Sequence, residues 1–301
     1  MYDSLGIWMP SIEINNSGYL DRVPALLSNI SKKEKNDSFW ISGNLENLRV
    51  SVSEHGISIN GSPNKFYHGY NDKRLTRQEM EFSIEKLSDV LRVDARKGNA
   101  QSFDVAHNFM VKRPTLDYYP LFGSASYYRR ELVQNSLYYK NKQRTIILYD
   151  KVKELMKNSI DIPPVWNGRN VLRIEVRFLN RIKSQFNISS LKVKDLYQDE
   201  FYIQVLDRWK KEYMKIRRNK VIVPKEDSMT SLEAERYLLS HLIQLHGHNE
   251  VDELINDYSF TNTKAAQRFK NKIHSLDDLS KESELTQEID EKVERVTNYY
   301  R

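Results

Sequence analysis

The chain has 301 residues, 39% of them hydrophobic, with 47 basic and 41 acidic side chains giving a net charge of +6. That length suits one large domain or two ordinary ones, and the apolar content excludes a disordered chain, while no stretch approaches the roughly 18 uninterrupted apolar residues of a membrane-spanning helix. The absence of cysteine removes disulfides, cysteine-held zinc and thiol nucleophiles, and Met1-Tyr2-Asp3-Ser4-Leu5 lacks the basic start and apolar run of a secretory signal, so a cytoplasmic protein without a membrane partner is expected.

The first part reads as β-rich with one clear helix. Residues 5–14, 39–42 and 48–53 carry alternating or aromatic strand patterns, and residues 56–61 form a strand closed by a turn. Thr76-Arg77-Gln78-Glu79 has the form of a capping box, and Met80, Ile84, Leu87 and Leu91 behind it make one apolar stripe, which predicts a helix. Further strands are predicted at 102–111, 144–149 and 171–178, with a hairpin joining Leu137-Tyr138-Tyr139 to the second of them. A helix is predicted over 150–157, and Ile162-Pro163-Pro164 breaks the pattern before the last strand. After about residue 190 the pattern turns helical, with helices at 196–217 and 232–246, a connection at 220–228 stopped by Pro224, and an acidic tail from 276. The fold class is therefore α+β: an antiparallel-rich sheet domain with packed helices over 1–190, then a smaller helical region over 191–301.

Strand alternation places the candidate chemistry. Leu172, Ile174, Val176 and Phe178 point one way, and Arg173, Glu175 and Arg177 the other. Asp104 lies opposite Phe103, Val105 and Phe109, and Tyr149 shares a face with Lys151 if that strand runs far enough. In one sheet these strands bring two carboxylates, a tyrosine, a lysine and two arginines to one face. Two carboxylates from different strands suit magnesium or manganese, which can polarise a phosphodiester. The same alternation also fits ordinary cross-strand charge pairs on a solvated face. The net charge favours phosphate backbones, and the 18 tyrosines can stack on bases, act as nucleophiles or simply fill an aromatic-rich core.

Phe66-Tyr67-His68-Gly69-Tyr70-Asn71, Ser102-Phe103-Asp104-Val105, Thr145 to Glu154 and Leu172-Arg173-Ile174-Glu175-Val176-Arg177 occur in that order. Over roughly residues 60–190 this series resembles the gene II/X replication initiators of filamentous phages and, more distantly, the tyrosine initiators of rolling-circle plasmids. The resemblance implies a nicking and joining catalytic domain. Asp104 and Glu175 would be metal ligands for Mg2+ or Mn2+, Tyr149 the nucleophile and Lys151 its electrostatic neighbour. His68 and Asn71 match a His-Gly-x-Asn-like stretch of the site or of the DNA contact, and Arg173 and Arg177 would face DNA. Tyr149 would become joined to a 5′ phosphate and free a 3′ hydroxyl. Tyr138 and Tyr139 are rival nucleophiles.

Another class of initiators holds its metal with a His-hydrophobic-His pair, but His246-Gly247-His248 follows a helical run and reads as a helix terminus. His107 falls on the apolar side of its strand. In the C-terminal half, residues 208–220 interleave bases with aromatics, and residues 251–273 read as two helices, the second presenting Lys264 and Arg268 to DNA. No Gly-x-x-x-x-Gly-Lys-Ser/Thr loop is present, so unwinding falls to a host helicase and extension to a host DNA polymerase, with origin DNA as substrate. A non-catalytic DNA-binding replication or regulatory protein is the alternative. A tyrosine recombinase does not fit, because its tyrosine belongs to a helical domain.

Overall fold

A computed structural model describes residues 1–14, 18–35, 38–69, 75–219, 229–246, 248–258, 260, 262–275 and 283–299. The fold is α+β, as expected, around a ten-stranded antiparallel sheet. Its strands are β1 (Tyr2–Pro10), β2 (Ser28–Lys35), β3 (Ser38–Leu45), β4 (Leu48–Ser53), β5 (Gly56–Gly61), β6 (Asn99–Val111), then β8 (Arg129–Val133), β9 (Ser136–Lys140), β10 (Arg144–Asp150) and β11 (Asn170–Phe178), with β7 (Phe122–Ala125) between β6 and β8 set apart. The spatial order is β2-β3-β4-β5-β1-β6-β11-β10-β9-β8, so β1 lies inside the sheet between β5 and β6. β7 pairs instead with β12 (Ile216–Arg218).

The expected strands are all present. The first ends early, because Pro10 leads into a 3-10 turn over Ser11–Glu13. β2 is unexpected: Ser-Asn-Ile-Ser-Lys-Lys-Glu-Lys is polar on both faces and sits at the sheet edge, where lysines discourage further pairing.

One face of the sheet is apolar and covered by helices. Leu5, Ile7, Val50, Val52 and Ile59 face α2 (Pro63–His68) and α3 (Arg77–Leu91), whose start carries the predicted capping box between Thr76 and Glu79. Short α1 (Tyr19–Ala25) closes the corner beside β3 and β4. Farther along, Phe103, Phe109, Ile174 and Phe178 pack with α5 (Ile182–Phe186) and α6 (Asp199–Met214). Trp209 of α6 is fully buried, stacked at 6.3 Å on Phe109 and 4.8 Å from the buried His107 ring. The core therefore does not stop near residue 190. It takes in α6 and, from the far end of the chain, Ile289 and Val293 of α10 (Glu284–Tyr299). Between them lie α7 (Ser231–His246), α8 (His248–Asp257) and α9 (Thr263–Ser275). Pro224 and Gly247 lie outside the described residues. Among the described residues no helix is long and apolar enough to cross a membrane.

Glu212 ties α6 to the start of β10. Its fully buried carboxylate meets Arg144 at 2.5 Å, Lys215 at 2.8 Å and the Tyr128 hydroxyl at 2.7 Å. Burial alone would raise its pKa, but hydrogen bonds from Lys215 and Tyr128, and then the Arg144 charge, hold it below the usual range. Glu212→Ala removes the buried carboxylate that binds three partly exposed cations and is expected to destabilise the fold by about 1.5–3 kcal/mol. Urea unfolding measures this, and a loss under about 1 kcal/mol would show that the network is dispensable.

Candidate active site

β10, β11, β6 and β1 lie side by side at the middle of the sheet, and their registers decide what meets on the face away from α6. Arg173 stands between Tyr149 and Asn108, Glu175 between Ile147 and Ala106, and Arg177 between Thr145 and Asp104. Ser4 is opposite Asp104 across the β1–β6 pair. Tyr138 of β9 pairs with Ile147, which pairs with Glu175 on its other side, so Tyr138 lies two strands from Glu175. Period-two alternation thus gathers Asp104, Tyr149, Arg173, Glu175 and Arg177 on one polar face, as the sequence predicts.

α4 (Lys151–Lys157) packs over one end of this face, where Leu155 and Trp166 bury Val171 of β11. Between α4 and the β8–β9 hairpin is a cleft of about 430 Å³. Tyr149, Tyr138 and Arg177 line it, with Lys153, Lys157 and Asn158 from the helical side.

Glu175 is the hub. Its carboxylate is 1% exposed and is filled by three donors. Oε2 accepts from the Tyr149 hydroxyl at 3.1 Å and from Arg173 Nε at 3.3 Å, and Oε1 accepts from Arg177 Nε at 2.7 Å. Arg173 is also buried, spending its remaining donors on Asp3 at 2.7 Å and Asn108 at 3.1 Å. Burial opposes its charge, but Asp3, Tyr149 and Glu175 outweigh that and raise its pKa. Arg177, with 45% of its side chain exposed, is the arginine of the pair that reaches solvent; it also lies 3.7 Å from Asp104.

Burial pushes the Tyr149 phenol far up, and Glu175 and Asp3 add to this, while Arg173 pulls the other way. The tyrosine is therefore neutral at rest, within hydrogen-bond reach of a carboxylate able to take its proton. The Asp104 carboxyl is pushed up to about 7, first by burial and then by the charge of Glu175, with Arg177 working against both. Three carboxylates, Asp3, Asp104 and Glu175, thus crowd two arginines.

Among the described residues no three Asp, Glu or His side chains form a ready-made ligand set. Magnesium, however, is commonly held by one or two carboxylates plus water and substrate phosphate. Asp104 and the Oε1 side of Glu175 supply that minimum. Arg177 Nε bridges these two carboxylates, at 2.7 Å from Glu175 and 3.7 Å from Asp104, so a divalent ion held by both would take the place of its guanidinium.

Lys151 departs from expectation. β10 ends at Asp150, whose carboxylate caps α4 by accepting from Lys153 N at 3.0 Å, so alternation stops before Lys151. The Lys151 ammonium is buried and bound to Glu154 at 2.6 Å, and burial, then Arg173, lowers its pKa. Tyr139 is also set apart: it faces the core and donates to the carbonyls of Phe122 and Gly123. His68 sits at the end of α2, on the helix-covered side of the sheet, 3.4 Å from Glu79, so it does not join this cluster. Asn71 lies outside the described residues. Lys264 and Arg268 are exposed on α9, which packs on α8, and the two-helix pattern predicted for 251–273 is present.

Sequence reading missed Asp3, because a bulge between Tyr2 and Ser4 breaks the alternation that would place it. It also passed over Lys153 and Lys157, although their i, i+4 spacing directly after Tyr149 was a usable sign of one helix face.

No curated relative matches the chain. The family described as the N-terminal part of a replication-associated protein, the gene II protein, matches residues 1–211, which contain every strand of the polar face and the α4 wall of its cleft. The chain therefore belongs to this family, that of the filamentous-phage gene II replication initiators.

Proposed function

We propose that this initiator nicks and rejoins one strand of origin DNA by transesterification through Tyr149. The observation that carries the reading is the Tyr149 hydroxyl bonded to buried Glu175 beside a cleft whose lining includes Arg177, Lys153 and Lys157 along with Asp150 and Glu154. Glu175 Oε2 takes the phenol proton as Tyr149 Oη attacks phosphorus. The bond from phosphorus to the 3′ oxygen breaks, that oxygen takes a proton from solvent in the open cleft, and the 5′ phosphate stays esterified to Tyr149. Arg173 holds the Glu175 carboxylate in place through its Nε bond to Oε2. Arg177, Lys153 and Lys157 balance the charge that builds on the phosphoryl oxygens. Asp104 and Glu175 Oε1 would hold Mg2+ or Mn2+, which when bound supplies polarisation of the scissile phosphodiester. Rejoining runs the same steps backwards from a 3′ hydroxyl, so the bond energy is conserved.

The test is incubation with labelled single-stranded origin DNA and manganese, followed by a denaturing gel. A shifted covalent band that disappears with chelator supports the reading. No band with any DNA that the protein binds would favour a non-catalytic DNA-binding initiator. On this reading the protein works in the cytoplasm of a bacterial host, with a host helicase and DNA polymerase as partners.

Lys264 and Arg268 on α9 would add phosphate contacts away from the cleft. Changing both to Ala is expected to lower the slope of log affinity against log salt by about 2, and an unchanged slope in a filter-binding titration would remove α9 from the interface.

A further inference from the structure

The wall of the cleft opposite α4 is a strained turn. Val133 pairs with Ser136, leaving Gln134 and Asn135 as a two-residue hairpin loop between β8 and β9. Their φ angles are 47° and 64°, both left-handed. Such a turn favours Asn-Gly, since glycine meets no Cβ penalty and asparagine bonds its own backbone. Gln134 has neither advantage, and a long side chain held at a costly backbone position is a pointer to use.

Both residues are exposed and line the cleft, and each accepts one hydrogen bond, Asn135 through its backbone carbonyl and Gln134 through its side chain. The Tyr119 hydroxyl donates to the Asn135 carbonyl at 3.0 Å, and Lys157 Nζ donates to Gln134 Oε1 at 3.2 Å across the cleft. Asn158 brings a third carboxamide from the α4 side. Tyr138 adds a flat ring, with Lys140 Nζ 4.7 Å from its centroid. Carboxamides offer a donor beside an acceptor, the pattern that recognises a base edge, and an aromatic ring provides a stacking surface. A volume of about 430 Å³ is on the scale of a site for a single small group such as one unpaired base.

We propose that Gln134, Asn135 and Asn158 read the base of one unpaired nucleotide next to the phosphate attacked by Tyr149, with that base stacked on Tyr138. This site rests on the nicking reading for its place beside the phosphate, but it makes a separate claim: the initiator chooses its nick position partly through the β8–β9 turn.

The test uses the full chain carrying Gln134→Asn together with Asn135→Gly, the pair this turn prefers, so the hairpin is retained. Single-stranded origin oligonucleotides with each of the four bases at every position flanking the nick are compared with wild type for covalent product. The same oligonucleotides are scored for equilibrium binding to a Tyr149→Phe background with and without the double change. Wild type is expected to favour one base at one flanking position by about 5- to 100-fold, the range of a good base contact. The double variant is expected to fall below about 3-fold there, with an unfolding midpoint no lower than wild type. An unchanged base ratio in the variant, or no base preference in wild type at any flanking position, overturns the proposal. If no covalent product forms but the binding ratio collapses in the double variant, base reading stands and nicking fails.

Discussion

Tyr149→Phe is expected to abolish the covalent protein–DNA product, lowering cleavage by on the order of 10⁴-fold or more, the scale on which loss of a nucleophile acts. The substitution removes one oxygen and its 3.1 Å bond to Glu175. Glu175 keeps both arginines, and the ring stays at the register position opposite Arg173. Stability should therefore fall by no more than about 1 kcal/mol, and DNA binding should hold. A covalent band of wild-type intensity would move the nucleophile to Tyr138, which lines the same cleft. Tyr139 is not available for this role, since its hydroxyl is buried against the β7 backbone.

Glu175→Gln should do more damage to the fold and nearly as much to the chemistry. Glutamine keeps the shape but turns one acceptor into a donor facing Tyr149 or an arginine, and it removes the charge that pairs two guanidiniums. Cleavage is expected to drop about 10²- to 10⁴-fold from loss of the base, and stability by about 3 kcal/mol from the uncompensated cations. The pH dependence should change as well. In wild type the Asp104 carboxyl, near 7 when folded and near 4 when unfolded, takes up a proton on folding between those values. Its contribution to stability is thus greatest below about pH 4 and declines as pH rises towards 7. Because the charge of Glu175 is a cause of that shift, Glu175→Gln should bring Asp104 down and flatten the decline. Urea unfolding from pH 4 to pH 8 measures the slope. A variant as active as wild type would end the base assignment, and an unaltered slope would mean that burial and Asp3, not Glu175, raise Asp104.

Much of this site was legible because a strand's alternation is a geometric rule. Leu172 to Phe178 separated Arg173, Glu175 and Arg177 from the core without any knowledge of the fold, and Asp104 and Tyr149 followed in the same way. The rule failed where the strand did. Lys151 lies one residue past the end of β10, where the Asp150 cap had already turned the chain into a helix. Asp3 is the bulged residue between Tyr2 and Ser4, and its 2.7 Å contact with Arg173 assigns it to the site. The boundary expected near 190 rested on a change from strand to helix periodicity. That change is real, but Trp209 and Val293 pack on the sheet through contacts between distant parts of the chain, which local pattern does not encode. Gln134 gave no sign in sequence, because its meaning lies in a left-handed backbone that only the folded hairpin reveals.

The interior position of β1 has a consequence for the newborn protein. This strand carries Leu5, Ile7 and Met9, yet its partners β5 and β6 come later in the chain, β6 only from Asn99. At roughly 5–20 residues per second, about 5–20 s of synthesis separate the end of β1 from the start of β6. One edge of this ribbon can close once β5 is made, but the edge that takes β6 stays open for the whole interval, where chaperones and stray strands compete for it. High yield of this protein in a cell should therefore depend on translation speed across its first third more than on the stability of the finished sheet.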